Sequence, residues 1–217
     1  MSESASLRIT EIFTSLQGEA LSAGYPTTFV RLTGCPLRCV YCDSAYAFNG
    51  GEQRSIAEVV AEVKNRRPSR VCVTGGEPLA QPNCLLLLSA LGDAGYSVSL
   101  ETSGAMDISE VDPRVSIVLD IKTPGSGESQ RNLLTNLPKL KSTDQIKVVV
   151  TSQEDFRWFE ILCDQHPEIF QAQVVWISPA YEQVDLKDLA SWVIDSAHPF
   201  RMQLQLHKLI WGEEIGR

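Results

Sequence analysis

Eight apolar, β-branched runs recur along the 217-residue chain, and helix-like segments separate many of them. The runs are Leu7–Phe13, Thr28–Leu32, Arg70–Val73, Ser97–Leu100, Val115–Ile121, Ile146–Val150, Val174–Ile177 and Met202–Leu206. Ser55-Ile56-Ala57-Glu58 forms a capping box that opens a helix ending near Arg67, ahead of Pro68. Pro82 to Gly95 has the Pro-start, Gly-stop asymmetry of a second helix. Ser152–Gln165 and Asp185–Ala197 read as two more amphipathic helices. Strands that alternate with helices pair in parallel through right-handed crossovers, which makes this an α/β fold. From Val71 onward the runs repeat every roughly 25 to 30 residues, the length of a βα unit. About six such units make an incomplete (β/α) barrel, fewer than the eight of a full barrel. No linker or repeat interrupts the pattern, so residues 1–217 are expected to be one domain.

Composition narrows the function. Hydrophobic residues are 43% and charged residues 21%, which suits a packed core and not a disordered tail. The net charge of −8 argues against a broad electrostatic grip on nucleic acid or on an anionic membrane. A small substrate in a locally basic pocket stays open. Apolar runs such as Leu85–Leu88 are too short to span a bilayer, and no export signal opens the chain, so a cytoplasmic location is expected. Thiols stay reduced there, so a disulfide framework is a poor account of the six cysteines. Cys72, Cys84 and Cys163 sit in strand or helix patterns and read as core thiols.

The other three lie in Cys35-Pro36-Leu37-Arg38-Cys39-Val40-Tyr41-Cys42, with the spacing Cys-x3-Cys-x2-Cys. Thiolates this close can face one soft centre, either zinc or an iron–sulfur cluster. A structural zinc would normally be closed by a fourth Cys or His nearby, and none follows here. A cluster held by three cysteines keeps one iron open to a small molecule. Downstream, Val71-Cys72-Val73-Thr74-Gly75-Gly76-Glu77-Pro78 is a strand that ends in a glycine pair. Such a pair lets a ligand approach the backbone, although a plain turn would look the same.

The cysteine spacing, with the aromatic Tyr41 before the last cysteine, resembles the radical S-adenosylmethionine superfamily. The resemblance implies a [4Fe–4S] cluster on Cys35, Cys39 and Cys42 that cleaves S-adenosylmethionine to a 5′-deoxyadenosyl radical. Gly76 would meet the amino group of S-adenosylmethionine, and Tyr41, Cys42 and Asp43 would lie against it.

Other segments extend the resemblance, over nearly the whole chain, to the 7-carboxy-7-deazaguanine synthase family. That family contracts the ring of 6-carboxy-5,6,7,8-tetrahydropterin with loss of ammonia, on the route to queuosine and related deazapurines. Leu16-Gln17-Gly18 would contact the pterin, although a polar turn after a strand also explains these residues. Arg31 lies in an apolar strand and needs a partner, which either a substrate carboxylate or an internal ion pair supplies. Thr74 is assigned to substrate by the same likeness. Ser44 stands where the family commonly has Thr as a Mg2+ ligand; a loop serine bonded to its own backbone is the alternative. Met202–Leu206, read as a strand, would put Gln203, Gln205 and His207 on one face; the likeness matches Gln205, His207 and Lys208 and sets them close to substrate, with Gln205 and His207 in contact.

Strand ends at Glu101-Thr102-Ser103-Gly104, Asp120-Ile121-Lys122 and Ser178-Pro179-Ala180-Tyr181 would contact S-adenosylmethionine. Asp120 and Ile121 depart from the Ser-Pro-Lys form seen in part of the family. A flavodoxin or ferredoxin electron donor and a homodimer complete what the resemblance implies. Two rivals are a small activase that makes a glycyl radical on a partner, and an electron-transfer or zinc protein without chemistry of its own.

Overall fold

The computed structural model describes residues 5–212, 214 and 216. Nine strands form one sheet in the order β3-β1-β2-β4-β5-β6-β7-β8-β9. They are β1 (Ser6–Leu16), β2 (Pro26–Leu32), β3 (Glu52–Ser55), β4 (Arg70–Gly75), β5 (Ser97–Thr102), β6 (Ser116–Lys122), β7 (Gln145–Val150), β8 (Val174–Pro179) and β9 (Phe200–Met202). From β2 to β9 all pairing is parallel. The incomplete-barrel expectation therefore holds for the main body of the chain.

Two expectations need correction. The first strand pairs antiparallel with β2 and with β3, instead of joining the parallel set. The connection over 17–25 is too short for a parallel crossover, and it closes with Gln17 N donating to Tyr25 O (2.9 Å) and Gly24 N to Gln17 O (2.8 Å). The βα alternation is also incomplete. α1 (Ile56–Lys64), α2 (Cys84–Asp93), α3 (Gln153–Gln165) and α4 (Leu186–Asp195) fill four of the six crossovers between parallel strands, while β5–β6 and β6–β7 are joined without an α-helix. The α1 capping box forms as expected, with Ser55 and Glu58 bonded reciprocally.

Side-chain alternation gives the sheet two unlike faces. On one face Val30, Val71, Val73, Leu100, Leu119, Ile121, Val148 and Ile177 join the hydrophobic core that includes the helices. On the other face Arg31, Thr74, Glu101, Asp120, Lys122 and Lys147 line a cavity. Register sets these polar residues side by side: Arg31 opposite Thr74, and Asp120 opposite Lys147.

A buried carboxylate fixes the loops after β6 and β7. Asp155, in the first turn of α3, accepts from Thr151 N (2.9 Å), Thr151 Oγ1 (2.7 Å), Thr123 Oγ1 (3.0 Å) and Gly125 N (2.8 Å). Position 125 must be glycine because a Cβ there would overlap Thr151 Oγ1 and the Asp155 carboxylate. The loop so held supports the cysteine segment: Val40 N donates to Ser126 O (3.1 Å) and Arg38 N to Glu128 Oε1 (2.5 Å). Asp155→Ala orphans several buried donors and is expected to cost about 3 kcal/mol or more of unfolding free energy. Denaturant unfolding of the variant beside the wild type measures it.

Candidate functional site

The polar face of the sheet, with the segments beyond its strand ends, walls a cavity of about 490 Å³. In α/β folds of parallel strands this carboxyl end is where ligands gather.

The cysteine segment follows β2 and forms one wall. Cys35, Cys39 and Cys42 are unpaired, partly exposed and face the cavity. Cys42 N donates to Cys39 O (3.2 Å) and Leu37 N to Cys35 Sγ (3.4 Å), which curls the loop. Burial pushes Cys39 up to about 11, with Lys122 opposing. Among the described residues no three His, Cys, Asp or Glu side chains converge as ligands of a single metal ion. A zinc knuckle needs such convergence; the cysteines of a cluster grip separate irons and stand wider apart. The end of β4 packs directly on this loop. Glu77 N donates to Gly34 O (2.8 Å), and a Cβ at Gly76 would strike Gly34 O and Cys35 Cβ. Gly76 therefore reads as a close-approach glycine.

Opposed charges line the floor. Lys122 pairs with Asp120 Oδ2 (3.0 Å), and Lys147 with Glu19 Oε2 (2.5 Å) and more distantly Asp120 Oδ2 (3.6 Å). Burial alone would lower the Lys122 pKa, but Asp120, Tyr41 and Cys39 raise it. Burial would likewise raise Glu19, yet Lys147, by charge and by hydrogen bond, and Gln205 hold it below its ordinary value. Asp120 Oδ1 and Tyr41 OH are buried without a hydrogen-bond partner among the described residues. Such orphans are costly unless a polar ligand completes them. The cavity thus fits a polar cofactor beside the cysteines.

Toward the sheet edge, Gln17 Nε2 and Thr74 Oγ1 both donate to Glu101, each at 3.1 Å. Gly18 lies under His207: a Cβ would overlap the imidazole, and Leu206 N donates to Gly18 O (2.9 Å). Gln205 Nε2 reaches Glu19 Oε1 (2.6 Å). Arg31 Nε meets Glu11 Oε1 (2.8 Å), which also accepts from Tyr46 OH (2.7 Å). The internal ion pair therefore exists, while Arg31 still faces the cavity. Ser44 Oγ donates to Asp43 Oδ1 (2.9 Å). Burial would raise Asp43, but Ser44, Lys147, Lys208 and His207 together hold it lower.

Most residues singled out from sequence share this wall, Leu16, Gly76, Ala180 and Tyr181 among them. Three do not. Ile121 packs in the core because alternation turns it away from Asp120 and Lys122. Ser178 is fully buried and accepts from Gln203 Nε2 (3.0 Å), and Pro179 is buried beside it. The strand expected over Met202–Leu206 is also absent. Pairing ends at Met202, and Gln205 instead caps the short helix α5 (Leu206–Trp211). Gln203 N makes the last bond to β8, donating to Ile177 O (3.0 Å), while its side chain holds Ala20 N (2.8 Å) and Ser178 Oγ (3.0 Å). Sequence reading missed Glu19 and Lys147. A lysine between Ile146 and Val148 in an apolar strand was a signal of the same kind as Arg31.

Three partly exposed thiols beside a polar cavity at the ends of parallel strands are the arrangement that a radical S-adenosylmethionine protein needs. The Radical SAM superfamily model matches residues 29–118. A 7-carboxy-7-deazaguanine synthase from Methanospirillum hungatei is 44% identical over 96% of this chain and 87% of its own. One from Chlorobaculum tepidum is 40% identical over 99% and 98%. The crystal structure of QueE from Escherichia coli shares the fold, with a TM-score of 0.78 at 23% identity over 93% of this chain and 95% of that one. The chain belongs to the 7-carboxy-7-deazaguanine synthase family. Membership brings a [4Fe–4S] cluster and S-adenosylmethionine.

Two expectations follow. Gly76→Ala should lose most of its iron and its brown colour after anaerobic reconstitution, since the added methyl displaces the cysteine loop; iron analysis reads this. Glu19 has a depressed pKa, so its stabilisation is complete above the unfolded value of about 4.3 and fades as pH falls through the lower folded value. Glu19→Gln should therefore flatten the loss of stability between about pH 5 and pH 3, as measured by chemical unfolding.

Proposed function

We propose that this protein converts 6-carboxy-5,6,7,8-tetrahydropterin to 7-carboxy-7-deazaguanine by radical ring contraction with loss of ammonia. The observation that carries the reading is the meeting, on one cavity, of the cysteine loop with the Leu16–Gly18, Arg31 and Gln205–His207 segments. A glycyl-radical activase would share the cysteine loop and Gly76 but has no need of the other three. When bound, the cluster and S-adenosylmethionine supply a carbon-centred radical that takes hydrogen from the substrate.

The protein's own part is placement. Tyr41, Cys42, Asp43, Gly76, Asp120, Lys122, Ala180 and Tyr181 would seat S-adenosylmethionine, and Asp120 Oδ1 and Tyr41 OH lack partners among the described residues that a polar ligand would provide. Ile121, Ser178 and Pro179 could take part only through backbone or by support. Leu16, Gln17, Gly18, Arg31, Thr74, Gln205 and His207 would hold the pterin. Its ring offers donors and acceptors that suit Gln17, Gln205 and the Glu101 carboxylate between Gln17 and Thr74. Ser44 with the Asp43 carboxylate presents hard oxygen donors for Mg2+, which would orient the substrate. A misplacement of about 1 Å at such a step costs on the order of 100-fold in rate, so a rigid, paired floor matters. A flavodoxin- or ferredoxin-type donor and a homodimer belong to the same reading.

The test is an anaerobic assay of reconstituted protein with dithionite, S-adenosylmethionine, Mg2+ and the pterin acid, read by mass spectrometry. 7-Carboxy-7-deazaguanine supports the proposal. Release of 5′-deoxyadenosine without substrate and without that product would favour the activase instead. Arg31→Lys keeps the charge but loses the fork of donors, so KM for the pterin should rise about 10-fold with iron content unchanged.

A further inference from the structure

Arg31, Lys122, Lys147 and Lys208 are the Lys and Arg side chains among the described residues that line the cavity. Three have a carboxylate in ion-pair contact: Glu11 for Arg31, Asp120 for Lys122, and Glu19 for Lys147. Lys208 has none among the described residues. The residue as a whole is only 9% exposed, and the side chain lines the cavity. Its backbone is committed to α5, with Lys208 N donating to Gln205 O (3.0 Å) and Lys208 O accepting from Gly212 N (2.9 Å). The root of the side chain is thereby set at the cavity wall. The ammonium stands 5.4 Å from the centroid of the Tyr181 ring.

A cation over an aromatic face gains about 0.5 to 2 kcal/mol. The ring carries no net counter-charge, so the ammonium keeps its capacity to pair with an anion. Asp43 feels the Lys208 charge through space, but no ion pair forms, and its Oδ1 is engaged by Ser44 Oγ. An ammonium at the wall of a ligand cavity, with no carboxylate in ion-pair contact among the described residues, is a preformed half of an ion pair.

We propose that Lys208 is a carboxylate-binding residue of this site, and that the other half of the pair arrives with a reactant. This rests on the reaction proposed above, in which two reactants carry a carboxylate: S-adenosylmethionine and the pterin acid. Lys208 lies between their expected seats, with Tyr181 beneath its ammonium and His207, stacked on Gly18, next in sequence. Arg31 already has Glu11 on its Nε, whereas Lys208 offers an incoming anion a charge with no carboxylate in ion-pair contact among the described residues.

Equilibrium binding to anaerobically reconstituted protein tests this with four ligands: S-adenosylmethionine, the pterin acid, and the decarboxylated form of each. Lys208→Met keeps the apolar stem and removes the charge. It should weaken binding of one carboxylated ligand about 10- to 100-fold and leave the decarboxylated counterpart unchanged, and Lys208→Arg should restore most of the loss. The ligand affected identifies the source of the carboxylate. Melting of the ligand-free protein should not fall in Lys208→Met, because no ion pair is lost and a methionine sulfur also packs favourably on the Tyr181 ring. Equal weakening for a ligand and its decarboxylated form, or no weakening for either pair, overturns the proposal; so does a lower melting temperature. If the wild type binds no pterin acid, the reaction proposed above fails, while the S-adenosylmethionine pair still decides the role of Lys208.

Discussion

Glu77 is completely buried, and the site is assembled around it. Its carboxylate accepts from Leu79 N (2.9 Å), Thr102 Oγ1 (2.9 Å), Ser103 N (2.6 Å) and Ser103 Oγ (2.5 Å). A buried carboxylate without partners costs several kcal/mol, so this set is satisfied in one arrangement or not at all. That arrangement locks the end of β4 to the end of β5. The Glu77 backbone N–H then reaches Gly34 O, bringing the start of the cysteine segment against Gly76. Asp155 does the equivalent on the far side, where it holds the loop that supports Arg38 and Val40. Two buried carboxylates, both bonded to backbone and hydroxyl donors, thus fix the cysteine wall from both flanks.

The cavity floor follows from a simple conflict. Parallel strands buried on both faces normally carry continuous apolar runs, yet here one face must meet a polar ligand. The chain resolves this by setting single charged residues into otherwise apolar strands and pairing them across strands. Lys147 is shared between Glu19 and Asp120, and Asp120 between Lys122 and Lys147. Such a network is rigid because moving one member strands another charge in low dielectric. A rigid polar floor suits a reaction in which the protein's task is orientation.

Local signals were readable wherever the bonds they describe are local. The α1 capping box involves residues three apart, and the Cys-x3-Cys-x2-Cys spacing lies within one loop. The parallel core strands were found within about one to three residues of their ends, because their apolar runs are short-range patterns. Readings failed where the partner is distant in sequence. Gln203, Gln205 and His207 alternate like a strand, but Gln203 is drawn to Ala20 and Ser178, and the chain turns into α5 instead. Ile121 was grouped with its neighbours Asp120 and Lys122, although the period of a strand turns it to the opposite face. For Arg31, substrate carboxylate and internal ion pair stood as alternatives; Glu11 takes only its Nε and leaves the side chain facing the cavity.

The sequence by itself determined an α/β chain with mostly parallel strands, three thiols spaced for an iron–sulfur cluster, and a glycine pair ending a strand. These are statements about residue type and short spacing, which backbone geometry converts directly into structure. Only the tertiary structure decided which charges compensate one another. Glu19 and Lys147 are 128 residues apart, and Glu19 and Gln205 are 186 apart. No periodicity carries such pairings, since they arise when parallel strands set their carboxyl ends side by side. The same long-range geometry leaves Lys208 as the cavity lysine with no carboxylate in ion-pair contact among the described residues.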